Sequence, residues 1–154
     1  MARPEKVRLG EILVQQKVLT EDQLRLALEE QKRSGRKLGR VFIEKGFVTE
    51  EAIAEALAKQ LRIPYINLKQ YNTRPDIINK LPETQARRFR ALALEDTGVA
   101  LRIGMADPTD LQAYDEIARV TRRDIDVAVV TESALLAAID RVYRRTGEIV
   151  GLAE

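Results

Sequence analysis

Hydrophobic residues recur at helical spacing through the first third of the chain, and they do so twice in the same arrangement. Each copy opens with a short amphipathic segment, turns, and continues as a longer segment with an apolar residue at every third or fourth position. The copies occupy residues 8–31 and 37–60. This pattern predicts two tandem helix-turn-helix repeats, because fixed-period self-similarity usually marks one supersecondary unit used twice.

Cap and turn residues predict where these helices begin and end. Thr20 opens a capping-box sequence, and Thr49 precedes two glutamates that favour the first turn of a helix. Gly35 and Gly46 have the position of helix-ending glycines. Lys17 occupies the place that Gly46 fills in the second copy, and a left-handed lysine would cost about 1 kcal/mol. We therefore expect the first turn to have a different shape.

After residue 62 the pattern changes to short alternating runs separated by turn residues. The predicted elements are an extended connector at 63–68, two short helices between 75 and 89, a hairpin of strands at 90–94 and 99–105, a helix from 108 to about 121, a strand at 124–130 and a helix at 132–145. Asp107 is predicted to cap the helix that starts at Pro108. Residues 147–154 form a tail without a clear element.

The predicted fold class is therefore α+β. An all-helical N-terminal subdomain of two tandem helix-turn-helix repeats (1–62) precedes a small α/β C-terminal subdomain (63–146).

Composition excludes most catalytic chemistry. The chain of 154 residues is 45% hydrophobic and 32% charged, which is typical of a soluble globular protein, and it contains neither cysteine nor histidine. Ser-His-Asp, Cys-His and histidine-ligated metal sites are therefore excluded, and no glycine-rich phosphate loop is present. We expect no catalytic residue, no metal and no cofactor. The absence of a long apolar run and of a leader pattern predicts a cytoplasmic protein.

In register, the two repeats share a set of identical positions. The identical pairs are Leu9/Leu38, Gly10/Gly39, Thr20/Thr49, Glu21/Glu50, Ala27/Ala56, Leu28/Leu57 and Gln31/Gln60. Arg8 matches Lys37, whereas Glu11 and Arg40 are matched with opposite charge, so the two halves are not chemically identical. Two repeats are fewer than a solenoid needs for stability, and a two-fold symmetric ligand is one explanation of the doubling.

This doubled unit, with R/K-L-G at its start and a leucine stripe that ends in Gln, resembles the MshEN domain, the N-terminal domain of type IV pilus and type II secretion ATPases. The resemblance extends through Ile63-Pro64 to the segment Met105–Pro108. It implies a non-enzymatic regulatory domain that binds cyclic di-GMP. It further implies an ATPase domain in the same polypeptide as a partner, and it allows contact with an inner-membrane pilus or secretion platform protein.

The resemblance and the repeat together indicate one set of ligand-binding residues. These are Arg8, Leu9, Gly10, Leu24, Leu28, Gln31, Lys37, Leu38, Gly39, Arg40, Ile53, Leu57, Gln60 and Asp107. A guanidinium suits the paired O6 and N7 acceptors of guanine, the glycines allow close backbone approach, and the apolar stripes offer a bed for purine faces. For Asp107 two interpretations remain, a contact to guanine and a helix cap. Each leucine, taken alone, also suits a core position.

Two other classes of function compete with this interpretation. A protein-docking module of a secretion ATPase without nucleotide is the alternative, although an interaction surface would not require polar residues to recur in register. A nucleic-acid-binding domain is disfavoured, because the net charge is only +2 and no aromatic residue interleaves with a basic run. The basic linker between the repeats suits a small anionic ligand better than a long duplex.

Overall fold

The computed structural model describes residues 9–153, and it describes side chains up to residue 143. The chain divides between Arg62 and Ile63 into two compact units. The N-terminal unit contains four helices: α1 (Leu9–Gln15), α2 (Glu21–Ser34), α3 (Leu38–Glu44) and α4 (Glu50–Leu61). Each predicted repeat is thus a short helix followed by a longer one.

The core of the N-terminal unit is built from matched positions of the two repeats. Its fully buried members form the four pairs Ile12/Val41, Leu13/Phe42, Leu19/Val48 and Ala27/Ala56. The short helix of each repeat packs on the long helix of the other, α1 on α4 and α2 on α3. The repeats therefore interlock around a shared core, and each repeat buries its apolar face against the other.

The predicted caps of these helices are confirmed. The Thr20 hydroxyl accepts from the Gln23 N–H at 3.1 Å while the Gln23 side chain accepts from the Thr20 N–H at 3.0 Å, which completes the capping box. The Thr49 hydroxyl accepts from the Ala52 N–H at 3.1 Å. Gly35 ends α2 in the left-handed region, with φ 70°.

The prediction that the turn at Lys17 has a different shape from the turn at Gly46 was wrong. Lys17 has φ 61° and Gly46 has φ 73°, so both lie in the left-handed region. The bonds also match: the N–H of Lys17 and of Gly46 donates to the carbonyl three residues back at 3.0 Å, and the next N–H donates five residues back at 2.9 and 3.0 Å. This is a Schellman motif in both repeats. Val18 and Phe47 pack on the core directly after it, which holds the turn despite the lysine.

The C-terminal unit is a three-stranded sheet with helices. Its elements are α5 (Pro75–Ile78), α6 (Glu83–Phe89), β1 (Ala91–Asp96), β2 (Leu101–Met105), α7 (Leu111–Thr121), β3 (Ile125–Val129) and α8 (Glu132–Ala153). The order is β1-β2-β3, with β1 antiparallel to β2 and β2 parallel to β3 through α7. The connector after Arg62 adds one bridge, Tyr65 beside Val129. The α+β prediction is confirmed.

Two predicted helix ends in this unit were wrong. The helix α7 begins at Leu111 with Asp110 as its N-cap, and not at Pro108 with Asp107 as the cap. The Asp107 carboxylate instead accepts from the N–H and hydroxyl of Thr109, at 3.0 and 2.5 Å, so it closes a turn before the helix. The last helix continues to Ala153, so the predicted tail from residue 147 is helical up to that point.

The hairpin is shifted by one or two residues from its prediction. The first strand runs to Asp96 and the second begins at Leu101, which moves the turn to residues 97–100. Among the described residues, no helix combines the length and apolar character needed to cross a membrane.

Candidate functional site

The two Leu-Gly steps of the repeats lie next to each other. Leu9-Gly10 opens α1 and Leu38-Gly39 opens α3. A Cβ placed on Gly39 would lie 3.3 Å from Cδ2 of Leu9, which is closer than most real Cβ contacts. The start of the second repeat therefore contacts the start of the first. Positions 29 residues apart in sequence come together at one place on the surface of the N-terminal unit.

Gly10 has a packing role inside its own repeat. It is buried, and an added Cβ would lie 2.4 Å from Cδ1 of Leu24 on α2. Only glycine lets α1 and α2 approach this closely at that point unless Leu24 moves. The prediction that a glycine lets a ligand approach the backbone closely therefore suits Gly39, which is half-buried, better than Gly10, which is buried.

The apolar stripes on the long helices differ in exposure between the repeats. Ile53 and Leu57 on α4 are half-buried and pack against the shared core, and Leu24 on α2 does the same. Leu28, the counterpart of Leu57, is 40% exposed. The exposed leucine of the first repeat therefore leaves more apolar surface available to a ligand than its half-buried counterpart Leu57 does.

The polar candidates lie at the ends of these helices. Gln31 is half-buried near the end of α2, and Gln60 is exposed near the end of α4. Lys37 is the N-cap of α3 but makes no side-chain cap bond, and it is exposed like Arg40. Arg8, the predicted guanine-binding residue, lies outside the described residues.

One cationic side chain beside the second repeat is already paired. Arg36 of the linker forms an ion pair with Glu44 at the end of α3. In the first repeat, Glu11 and Glu21 stand beside Val14 and Leu24 along an open groove of about 400 Å³ between α1 and α2. The two halves differ in charge as the sequence predicts, because the matched position near the start of the short helix is Glu11 in α1 and Arg40 in α3.

Asp107 belongs to the C-terminal unit. It is exposed, and its carboxylate is held by Thr109 in the turn that precedes α7. The cap interpretation of Asp107 was wrong, because Asp110 caps α7 through the Ala113 N–H at 3.0 Å. The ligand interpretation of Asp107 stays a prediction.

One hydrogen bond between the repeats has no signal in the sequence. Nε2 of Gln16, in the turn after α1, donates to the Ala56 carbonyl of α4 at 3.0 Å. The residue matched to Gln16 is Lys45, so repeat comparison does not single this position out. A contact between residues forty positions apart becomes visible only when the repeats interlock.

The candidate residues are of types that bind a ligand by hydrogen bonds, apolar contact and charge. Within the described residues, no cluster of three or more histidine, cysteine, aspartate or glutamate side chains is placed to hold a metal ion. The candidate residues supply backbone at the paired Leu-Gly steps, apolar side chains on the long helices, and amide and cationic side chains. These are the groups that hold a nucleotide by stacking, hydrogen bonding and charge.

Comparison with known proteins gives a family and a close structural likeness. The family model of the MshEN domain matches residues 61–149, which is more than half of the chain and covers most of the C-terminal unit. The structure of MshE with cdg, cyclic di-GMP, superimposes with a TM-score of 0.79 at 37% identity, covering 90% of this chain and 100% of that one. That match extends over both units.

Two further relatives bear on the family. The type IV pilus assembly ATPase PilB of Myxococcus xanthus is 34% identical over 94% of this chain, but the chain spans only 26% of that relative's length. The N-terminal domain of XpsE superimposes with a TM-score of 0.71 at 24% identity, covering 92% of this chain and 97% of that one. The XpsE likeness indicates the fold alone.

Proposed function

Because the chain belongs to the MshEN family, we propose that it binds cyclic di-GMP through its two tandem repeats and acts as the regulatory domain of a type IV pilus or type II secretion ATPase. The observation that carries this proposal is the likeness to MshE with cdg, which reaches 37% identity over 90% of the chain. At that identity and coverage, we expect the ligand-binding surface to be shared as well as the fold.

The internal symmetry of the N-terminal unit supports the same ligand. Cyclic di-GMP has two guanines, two riboses and two phosphates related by a two-fold axis. The unit offers two copies of one motif around a core of matched pairs, and the copies meet where Gly39 lies against Leu9. Each repeat would hold one half of the ligand, and the second contact gains from the high effective concentration that the first creates.

The residues take distinct roles in this proposal. Arg8 binds a guanine edge through two parallel hydrogen bonds, and Lys37 supplies the second positive charge. Gln31 and Gln60 donate to and accept from a base edge or ribose, since the structure gives neither side chain a hydrogen-bond partner within the described residues. Leu24, Leu28, Ile53 and Leu57 contact the purine faces, and Asp107 remains a proposed outlying contact.

The partner of the domain in this proposal is an ATPase domain in the same polypeptide. The match to PilB, of which this chain spans 26%, supports that assignment. Such an ATPase works in the cytoplasm, where it meets the inner-membrane platform of a pilus or secretion system. In this proposal the domain itself catalyses no reaction, and ligand binding to it regulates the ATPase domain.

Ligand selectivity tests the proposal. Isothermal titration calorimetry of the wild-type protein with cyclic di-GMP, cyclic di-AMP and GTP should give strong binding to the first alone. Arg8→Ala and Gln31→Ala should each weaken binding by about tenfold or more, as expected for a lost hydrogen bond to a charged or buried partner. Their melting temperatures should stay within a few degrees of wild type.

Arg25→Ala serves as the matched control. Arg25 lies on α2 with 65% of its side chain exposed, and it pairs loosely with Asp22 at 3.7 Å and with Glu29 at 4.0 Å. Its loss removes a positive charge from the same helix without touching the proposed contacts, so cyclic di-GMP affinity should not change. The absence of heat with cyclic di-GMP, or equal heat with all three nucleotides, would refute the proposed function.

A further inference from the structure

The hydrogen bond from Gln16 to Ala56 joins one repeat to the proposed binding residues of the other. Gln16 follows α1 in the first repeat and is half-buried, and its Nε2 lies 3.0 Å from the Ala56 carbonyl oxygen. Ala56 is itself buried in the shared core, with 3% of its surface exposed. A side-chain amide therefore crosses from the turn of one repeat into the middle of the long helix of the other.

The accepting carbonyl belongs to the turn of α4 that ends at Gln60. In an α-helix the N–H of residue i donates to the carbonyl of residue i−4, so the Ala56 oxygen also accepts from the Gln60 N–H. Gln16 and Gln60 thus share one acceptor. The position of the Gln60 backbone is tied to the first repeat through a single oxygen atom.

The bond is asymmetric although the surrounding core is not. The residue matched to Gln16 is Lys45, which is exposed in the turn after α3. Both repeats contribute a buried alanine to the core, Ala27 and Ala56. The hydrogen bond to the Ala56 carbonyl, however, is donated by the first repeat. Apolar contacts set how far apart two helices lie, whereas a hydrogen bond also fixes the position of one helix along its axis.

We infer that Gln16 is a positioning residue for the second half of the proposed cyclic di-GMP site. It holds α4 along its axis so that Ile53, Leu57 and Gln60 stay in register with the first repeat. The inference rests on the proposed function, since only a ligand that spans both repeats needs that register to be fixed. A ligand that contacts one repeat gains nothing from it.

The test compares a two-fold ligand with half of it. Gln16→Met keeps the length of the side chain and removes the donor, and Gln15→Met makes the same change on an exposed glutamine next to it. Titration of each variant with cyclic di-GMP, and with GMP followed by NMR, separates positioning from local contact. Gln16→Met should weaken cyclic di-GMP about fivefold, the worth of one hydrogen bond, and leave the weak GMP affinity within about twofold.

A rescue variant and a ligand-free readout complete the test. Gln16→Lys restores an N–H donor of similar reach and should recover most of the cyclic di-GMP affinity. Without ligand, amide exchange at Gln60 should be about fivefold faster in Gln16→Met, while exchange at the matched Gln31 stays within about twofold of wild type.

The outcomes distinguish failure of the inference from failure of the proposed function. If wild type binds no cyclic di-GMP, the proposed function fails, and the Gln60 exchange still shows whether Gln16 holds α4. The inference is overturned if wild type binds and Gln16→Met binds equally well. It is also overturned if both ligands weaken equally, or if exchange at Gln31 rises as much as at Gln60, because either result indicates a general loss of structure.

Discussion

At the scale of single residues, a left-handed lysine is the clearest departure from what the sequence predicts. Glycine at Gly46 explains the turn of the second repeat, and the lysine at the matched position suggested another shape. The structure keeps the same Schellman motif at Lys17 with φ 61°. Local preference is worth about 1 kcal/mol, and the packing of Val18 and Leu19 on the core outweighs it.

Lys17→Gly should therefore stabilise the protein. It removes the strain of the left-handed side chain, about 1–2 kcal/mol, but adds freedom to the unfolded chain worth about 0.4–1 kcal/mol. The free energy of unfolding, measured from urea denaturation, should therefore rise by up to about 1.6 kcal/mol. The reverse change, Gly46→Lys, should lower it by a similar amount. A lower unfolding free energy for Lys17→Gly would contradict this account of the turn.

At the scale of elements, most helices and strands follow from local signals, and the exceptions have identifiable causes. The capping box at Thr20 and the glycine at Gly35 place α2 correctly because each signal acts within one turn. Asp107 and Asp110 both have the sequence of a cap, so local pattern cannot choose between them. Asp107 binds the Thr109 N–H and hydroxyl, and Asp110 is left to cap α7.

The β-hairpin of the C-terminal unit is held by an ion pair with a defined pH dependence. The Asp96 carboxylate accepts two bonds from the Arg123 guanidinium, at 2.6 and 2.7 Å, and one from the Gly98 N–H at 2.9 Å. The Arg123 bonds, then the Gly98 bond, hold the pKa of Asp96 well below its usual range. The folded state thus binds the proton of this group less tightly than the unfolded state does.

The sign of the effect on stability follows from that shift. A carboxyl group with a lowered pKa in the folded state stabilises the fold above its unfolded pKa of about 3.9, and the contribution is lost as the pH falls below that value.

Asp96→Asn should lower the urea midpoint at pH 7 and approach the wild-type midpoint near about pH 2. Asp22→Asn, at a carboxylate with 87% of its side chain exposed, is the control and should show little change at either pH. A deficit in Asp96→Asn that is the same at both pH values would contradict the ion-pair explanation.

At the scale of the whole molecule, the sequence predicts the architecture better than it predicts the site. The period of the repeat gives the two helix pairs, because each helix carries its own pattern of apolar residues. It does not give the interlocking, in which α1 packs on α4 and α2 on α3, or the contact of Gly39 with Leu9. Those contacts join positions far apart in sequence, and they are what make two copies of a motif into one surface.

The exposure of the site residues also depends on this long-range packing. Leu28 and Leu57 are identical and matched in sequence, yet only Leu57 packs against the core. The bond from Gln16 to Ala56 likewise exists only in the assembled unit. A chain with a perfect sequence repeat would not distinguish these positions. The tertiary structure does, since Leu57 packs against the core and Leu28 is 40% exposed.

The central claim is that the two repeats form one site for one cyclic di-GMP, and the stoichiometry of binding tests it most directly. Calorimetric titration of the wild-type protein, with its concentration fixed by absorbance, should give one cyclic di-GMP per chain in a single transition. Either Arg8→Ala or Lys37→Ala alone should weaken that single transition without changing the ratio. Two ligands per chain, a second transition that survives loss of Arg8, or no binding at all would contradict the claim.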